Sequence, residues 1–228
     1  MEYYVDIADI NAVRSINEYF PLDGFTTNPN ILTKTDRPLQ ELFAEYRTYV
    51  RQTGQKIFVQ VTARQALLMA DQAFQLRDFF GDNLVVKLPA VAEGYKACRL
   101  CKAQGMTVCV TVVHSAMQGL MAAKAGADYV APYISHIDNI GGDGVQCVEE
   151  MIAAFNHAAL PCKVLGASFR TARQIERLAV AGCHAVTITP EMFHMLISHP
   201  STDASMQGFE RAWLEKYGDR EVTAFLPE

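Results

Sequence analysis

The feature that most constrains the fold of this 228-residue chain is an unbroken alternation between short apolar runs and longer stretches of helical periodicity. The short runs fall at residues 3–7, 24–27, 56–61, 84–88, 107–112, 129–132, 163–167 and 185–188. They do not alternate polar with apolar, which is how strands buried on both faces read, and parallel sheets covered by helices bury both faces. Between them, 63–80 carries Leu67, Ala70, Ala73, Phe74 and Arg77 three or four residues apart. The stretch 116–125 carries Met117, Leu120, Met121 and Lys124 and stops at Gly126, and 171–181 stops at Gly182. Eight such units of about 25 residues predict an α/β fold, a (β/α)8 TIM barrel at the small end of its size range. An open doubly wound sheet is the competing architecture. It would place a glycine-rich nucleotide turn after the first strand, where this chain reads Asp6-Ile7-Ala8-Asp9.

No linker, low-complexity segment or charge run divides the chain, so residues 1–228 are expected to form one barrel domain. Residues 201–217 add a C-terminal helix with Met206, Phe209, Trp213 and Tyr217 along it. Its apolar face must be covered by the barrel or by a neighbouring subunit. A chain that is 50% apolar can bury a sizeable core without disulfides. The net charge of −5, with Lys and Arg scattered, argues against nucleic acid as a partner. No apolar run approaches the roughly 20 residues of a membrane span. The N-terminal MEYYVDIADI has no basic segment leading into an apolar core, so the 6 cysteines read as free thiols of a reducing, cytoplasmic compartment. Cys98 and Cys101 form a lone CxxC inside a helical stretch, 93–104. No second CxxC or paired histidine completes a metal site, and core packing is the better reading.

One residue breaks the apolar pattern more sharply than any other. In Leu84-Val85-Val86-Lys87-Leu88-Pro89 a lysine sits within a buried strand. Desolvation disfavours its ammonium form, and a lysine that is neutral part of the time is a nucleophile for carbonyl carbon. A lysine at a strand end whose head merely reaches water is the plainer reading. Barrels place catalytic groups at the C-terminal ends of their strands, and unusual polar residues gather there in this chain. Asp6 ends the first run, Thr26 and Asn28 follow the second, and Gln60 lies near the end of the third. Thr111 lies on the fifth, Tyr133, Ser135 and His136 follow the sixth, and Ser168 and Arg170 follow the seventh. Singly, each reads as a cap, a turn or a satisfied core residue. Together around Lys87 they suit carbonyl chemistry. The lysine forms an iminium, Asp6 moves protons, and Tyr133 and Gln60 orient a water. Thr26, Asn28 and Thr111 hold hydroxyls, while Ser168 and Arg170 offer an anion site.

These blocks resemble a known family. YVDIADI with Asp6, GFTTNPNIL, FVQV around Gln60, VVKLPA with Lys87, GADYVAPYISHIDNIGGDG and GASFRT stand in the order found in small transaldolase-like proteins, the fructose-6-phosphate aldolases among them. The resemblance implies a class I (Schiff-base) aldehyde-lyase on a TIM barrel, acting in carbohydrate metabolism on a sugar or sugar phosphate. It implies a homodecamer whose C-terminal helix packs on a neighbouring subunit, and no metal or organic cofactor. Carried over by motif, Lys87 is the Schiff-base lysine and Asp6 the proton-handling carboxylate. Thr26 and Asn28 contact the dihydroxyacetone part, Gln60, Thr111 and Tyr133 position a catalytic water, and Ser168 and Arg170 bind phosphate. Transaldolases of the family tend to carry Glu at the Gln60 position and Phe at the Tyr133 position, so this chain resembles the aldolase branch. The alternatives are a transaldolase that transfers the dihydroxyacetone unit and, more remotely, a non-catalytic barrel that binds sugar phosphates.

One block departs from the pattern. Where relatives carry an arginine after the sixth strand, this chain has Ser135-His136-Ile137-Asp138, and Cys109 and His114 are also unusual. An imidazole is mostly neutral at pH 7 and lacks the guanidinium fork, so the acceptor is expected to be less charged or differently sized. His136→Arg should therefore raise the rate on a phosphorylated aldehyde relative to its unphosphorylated counterpart. An unchanged ratio rejects the idea.

Overall fold

The computed structural model describes residues 1–227. The chain runs β1 (Glu2–Asp6), α1 (Ile10–Tyr19), β2 (Gly24–Thr26), α2 (Pro29–Leu32), α3 (Leu39–Thr53), β3 (Lys56–Gln60) and α4 (Ala66–Phe80). It continues through β4 (Leu84–Pro89), α5 (Ala92–Ala103), β5 (Val108–Val113), α6 (Ala116–Lys124), β6 (Tyr129–Pro132), α7 (Ile134–Asn139) and α8 (Gly144–His157). It ends with β7 (Lys163–Gly166), α9 (Ala172–Val180), β8 (Ala185–Ile188), α10 (Pro190–Ile197) and α11 (Pro200–Tyr217). The strands pair in parallel in sequence order and β8 closes on β1, giving a (β/α)8 barrel. Each strand begins and ends within one residue of its expected position.

Alternate strand residues share a face, and the inward rows explain the interior. The buried cluster of Tyr4, Phe58, Val85, Cys109, Tyr129, Ala131, Leu165 and Ala185 draws on every strand except β2. There, opposite Tyr4, stands Gly24, where a Cβ would lie 2.0 Å from the Lys56 carbonyl oxygen. Tyr4 and Tyr129 meet Phe58 edge-on at 4.8 and 5.4 Å. Two residues before Tyr4, the Glu2 carboxylate accepts from Lys163 Nζ at 2.6 Å and from the Tyr4 and Tyr129 hydroxyls at 2.9 Å each. Lys56 Nζ donates to the Tyr129 hydroxyl at 2.8 Å. A polar plug therefore fills the N-terminal end of the barrel, leaving the C-terminal end for chemistry.

The outer layer shows which face of each helix is buried. In α6 the buried residues are Gly119, Ala122 and Ala123, while Met117 and Met121 are exposed. A Cβ on Gly119 would come within 2.8 Å of Met151 Sδ in α8, so close packing selects the small face and turns the methionines outward. In α4, Ala70 and Ala73 are buried with Ala66, Met69 and Phe80, and Leu67 is exposed. The helix ends read from glycine hold: the chain leaves α6 and α9 through Gly126 (φ 95°) and Gly182 (φ 81°). Cys98 and Cys101 lie in the packed face of α5, where burial pushes their thiols up to about 12 and about 11.

The chain divides into two compact units, residues 1–193, which hold the barrel, and the remainder from His194. Within the second unit, Trp213 and Tyr217 of α11 pack on Phe225, with centroids 6.0 and 5.0 Å away, and Trp213 Nε1 donates to the Arg220 carbonyl at 2.7 Å. Met206 and Phe209 of the same helix are exposed. Among the described residues no helix is long and apolar enough to cross a membrane.

The Glu2 plug gives a stability test. Glu2→Gln should cost roughly 1–3 kcal/mol, read as a lower urea midpoint. Burial raises the Glu2 pKa, but hydrogen bonds from Lys163, Tyr129 and Tyr4 outweigh it and hold the carboxyl below its ordinary value. A depressed carboxylate stabilises above its unfolded pKa and loses that contribution as pH falls through the folded one. The difference between parent and variant should accordingly shrink below about pH 4.

Candidate active site

β4 puts Lys87 on the inward row two residues beyond Val85, and the side chain is 5% exposed. Its Nζ donates to the Thr27 carbonyl at 2.9 Å. That oxygen is presented because the Thr27 N–H and hydroxyl are tied back to the Phe58 carbonyl at 3.0 and 2.9 Å. Burial lowers the Lys87 pKa, opposed by the charge of Asp6 and by Cys109. Cys109 pairs with Lys87 in register, is fully buried, and has its thiol pushed up to about 12, so it remains an uncharged neighbour. Burial raises the Asp6 pKa, opposed by Lys87, by the hydroxyl of Thr26 and by the charge of Lys34. Burial thus pushes both groups towards their neutral forms, while the charge of each opposes the shift of the other.

Asp6 is held by a chain of hydroxyls. Thr26 Oγ1 donates to Asp6 Oδ1 at 2.6 Å, and Thr187 Oγ1 lies 2.5 Å from Thr26 Oγ1. The one proton of Thr26 is committed to Asp6, so Thr187 donates to Thr26. Thr26 is wholly buried, is absent from the cavity wall, and has its hydroxyl on Asp6. Thr187 went unread, although a threonine within the apolar AVTI of β8 is the same kind of signal as Lys87 in β4.

The remaining residues surround a cavity of about 1420 Å³ at the C-terminal end of the barrel. Asp6, Lys87 and Gln60, the register partner of Lys87, form its floor with Thr111. Thr111 Oγ1 and the Tyr133 hydroxyl are 3.3 Å apart. Burial raises the Tyr133 pKa, partly offset by Thr111, so its phenol keeps a proton to donate. Asn28 lines the wall while its Oδ1 accepts from Ile31 N at 3.0 Å, capping the short α2. Its amide NH₂ remains for a ligand. His136 lines the wall in a ring cluster: it stacks on His114 at 5.7 Å, and Tyr133 meets both imidazoles edge-on. Ser168 and Arg170 follow β7 on the wall, and Arg170 has no ion-pair partner among the described residues. The cationic Lys34, also on the wall, had no sequence signal. Among the described residues no group of three or more His, Cys, Asp or Glu side chains is arranged to hold a metal ion.

A closed parallel barrel with a buried lysine, a carboxyl group and a phenol lining one cavity at its C-terminal end is the arrangement of a (β/α)8 barrel with its candidate site where such barrels carry theirs. Residues 3–224 match the model of the transaldolase/fructose-6-phosphate aldolase family, and the chain belongs to that family. Similar solved structures include a mandelate oxidase mutant with an FMN adduct, at 14% identity and a TM-score of 0.57 over 95% of this chain and 75% of that one. Another is a cube-shaped designed protein cage, at 16% identity and a TM-score of 0.58 over 94% of this chain and 79% of that one. Identities this low carry the barrel and nothing of its chemistry.

Thr26→Val tests the positioning of Asp6. Removing the hydroxyl donor deletes an interaction that lowers the Asp6 pKa, so the acid limb of the kcat profile should move to higher pH. The rate should fall about 10-fold or more with little change in KM. An unmoved limb would assign Thr26 to packing alone.

Proposed function

We propose that this protein is a class I aldolase of the fructose-6-phosphate aldolase type, making and breaking the bond between a dihydroxyacetone-type ketone and an aldehyde. The observation that carries this reading is Lys87, desolvated inside β4, 2.9 Å from a carbonyl that orients its nitrogen and open to a cavity shared with Asp6. In cleavage, the neutral Lys87 amine adds to the ketone carbon. Proton transfer through Asp6 lets the carbinolamine lose water and leaves an iminium. The iminium draws the electron pair of the adjacent carbon–carbon bond as the hydroxyl beyond it loses its proton to a water held by Gln60, Thr111 and Tyr133. The aldehyde departs, the enamine is protonated, and water releases the dihydroxyacetone unit. Asn28 holds substrate hydroxyls, while Ser168, Arg170 and His136 receive the far, sugar-phosphate end. No cofactor is needed, since the electron sink is the iminium itself.

A transferase built on the same intermediate is the second reading, because the family covers both activities. The protonated Tyr133 beside Thr111 favours the aldolase, as a phenol donor helps release the three-carbon unit. The exposed Met206 and Phe209 support a homo-oligomer, a decamer by resemblance.

Borohydride reduction in the presence of dihydroxyacetone, followed by intact mass and peptide mapping, should place an adduct on Lys87. Lys87→Met should fold and give none. Release of free dihydroxyacetone from fructose 6-phosphate without an added aldehyde would identify the lyase, and release only with an acceptor would identify the transferase. A folded protein that forms no lysine adduct would leave the binding barrel as the remaining reading.

A further inference from the structure

Val112 departs from the regularity around it. At the end of β5 the pairing with β6 slips between Thr111 and Val113, and the extra residue adopts φ 62°. Among the described residues, the non-glycine residues with positive φ are Val112, Ala159 and Ser168, and only the first is β-branched. Two heavy substituents on Cβ crowd the backbone in that region, so a valine stays there only if its surroundings enforce it.

The consequence is directional. Alternation along β5 points Thr111 inward and would turn the next side chain outward among the helices. The bulge re-aims it. Val112 lies on the cavity wall and is 37% exposed, between Thr111 and Val113, which are both fully buried. Lys87 pairs with Cys109, three residues earlier on β5, so Val112 stands further towards the mouth on the side where a molecule extending from Lys87 must pass. The Tyr133 hydroxyl, beside Thr111, bounds the same wall. Glycine or asparagine would hold this backbone with less strain. What valine adds is an isopropyl group facing the cavity.

We propose that Val112 sets the shape of the acceptor-aldehyde site, contacting the acceptor and admitting short, unbranched hydroxyaldehydes over bulky or aromatic ones. The inference rests on the Lys87 Schiff-base reading, which fixes the donor end and leaves the mouth to the acceptor.

The test compares kcat/KM for phenylacetaldehyde with that for glycolaldehyde, dihydroxyacetone being the donor, in the parent and in Val112→Gly, Val112→Ala and Val112→Asn. Removing a few carbons from an apolar wall should raise the phenylacetaldehyde-to-glycolaldehyde ratio about 10-fold or more in the glycine variant, with alanine moving it in the same direction. Asparagine fills a similar volume and tolerates the left-handed backbone, so its ratio should stay close to the parent's. Asn should melt at or above the parent temperature, since it relieves the backbone, whereas in Gly that relief is offset by the greater freedom of the unfolded chain. A folded Gly or Ala variant with an unmoved ratio, or an Asn variant moving it as far as Gly, overturns the role of Val112. Borohydride trapping of the parent separates the two levels. A Lys87 adduct with an unmoved ratio sinks this inference alone, whereas no adduct sinks the reading beneath it as well.

Discussion

The site depends on one unfavourable placement, an ammonium-forming side chain with almost no water around it. Everything near Lys87 makes that tolerable. Its nitrogen has a backbone acceptor in Thr27, its charge has a partner in Asp6, and its neighbour on the next strand is a thiol that burial keeps protonated. None of these restores full hydration, so the amine is biased towards its neutral form, which is what the proposed Schiff-base reaction requires. The same low-dielectric surroundings raise Asp6, and the hydroxyl chain from Thr187 through Thr26 limits how far.

A barrel suits this arrangement because its two ends are independent. At the N-terminal end Glu2, Lys56, Lys163 and the hydroxyls of Tyr4 and Tyr129 satisfy one another and close the interior. Above them the aromatic layer of Tyr4, Phe58 and Tyr129 separates the plug from the reactive layer. Since successive inward positions on a strand are two residues apart, one strand can donate a plug residue, a core residue and a reactive residue in turn. Glu2, Tyr4 and Asp6 do so on β1, and Lys56, Phe58 and Gln60 do so on β3. The plug and the layer of Asp6, Gln60 and Lys87 are thereby separated by one layer of side chains.

Much of this was legible in the sequence, for identifiable reasons. A lysine in an apolar strand, a glutamine at a strand end and a tyrosine after a strand are each anomalous locally, and the barrel rule says where such anomalies meet. What was not legible follows a pattern too. The Thr26 hydroxyl is spent on Asp6 in the next strand over. Contact between α6 and α8 is so close that only Gly119 and its alanine neighbours fit, and Met117 and Met121 face outward. Both outcomes depend on partners outside the local pattern.

The sequence by itself determined the number and order of strands, the glycines that end α6 and α9, and the identity of the groups at the C-terminal end, because these depend on local pattern and side-chain type. Only the tertiary structure decided which hydroxyl serves Asp6, which face of each helix is buried, and that Val112 turns into the cavity. Those outcomes are fixed by register, bulges and packing distances between segments remote along the chain, and no local pattern of residues encodes a distance.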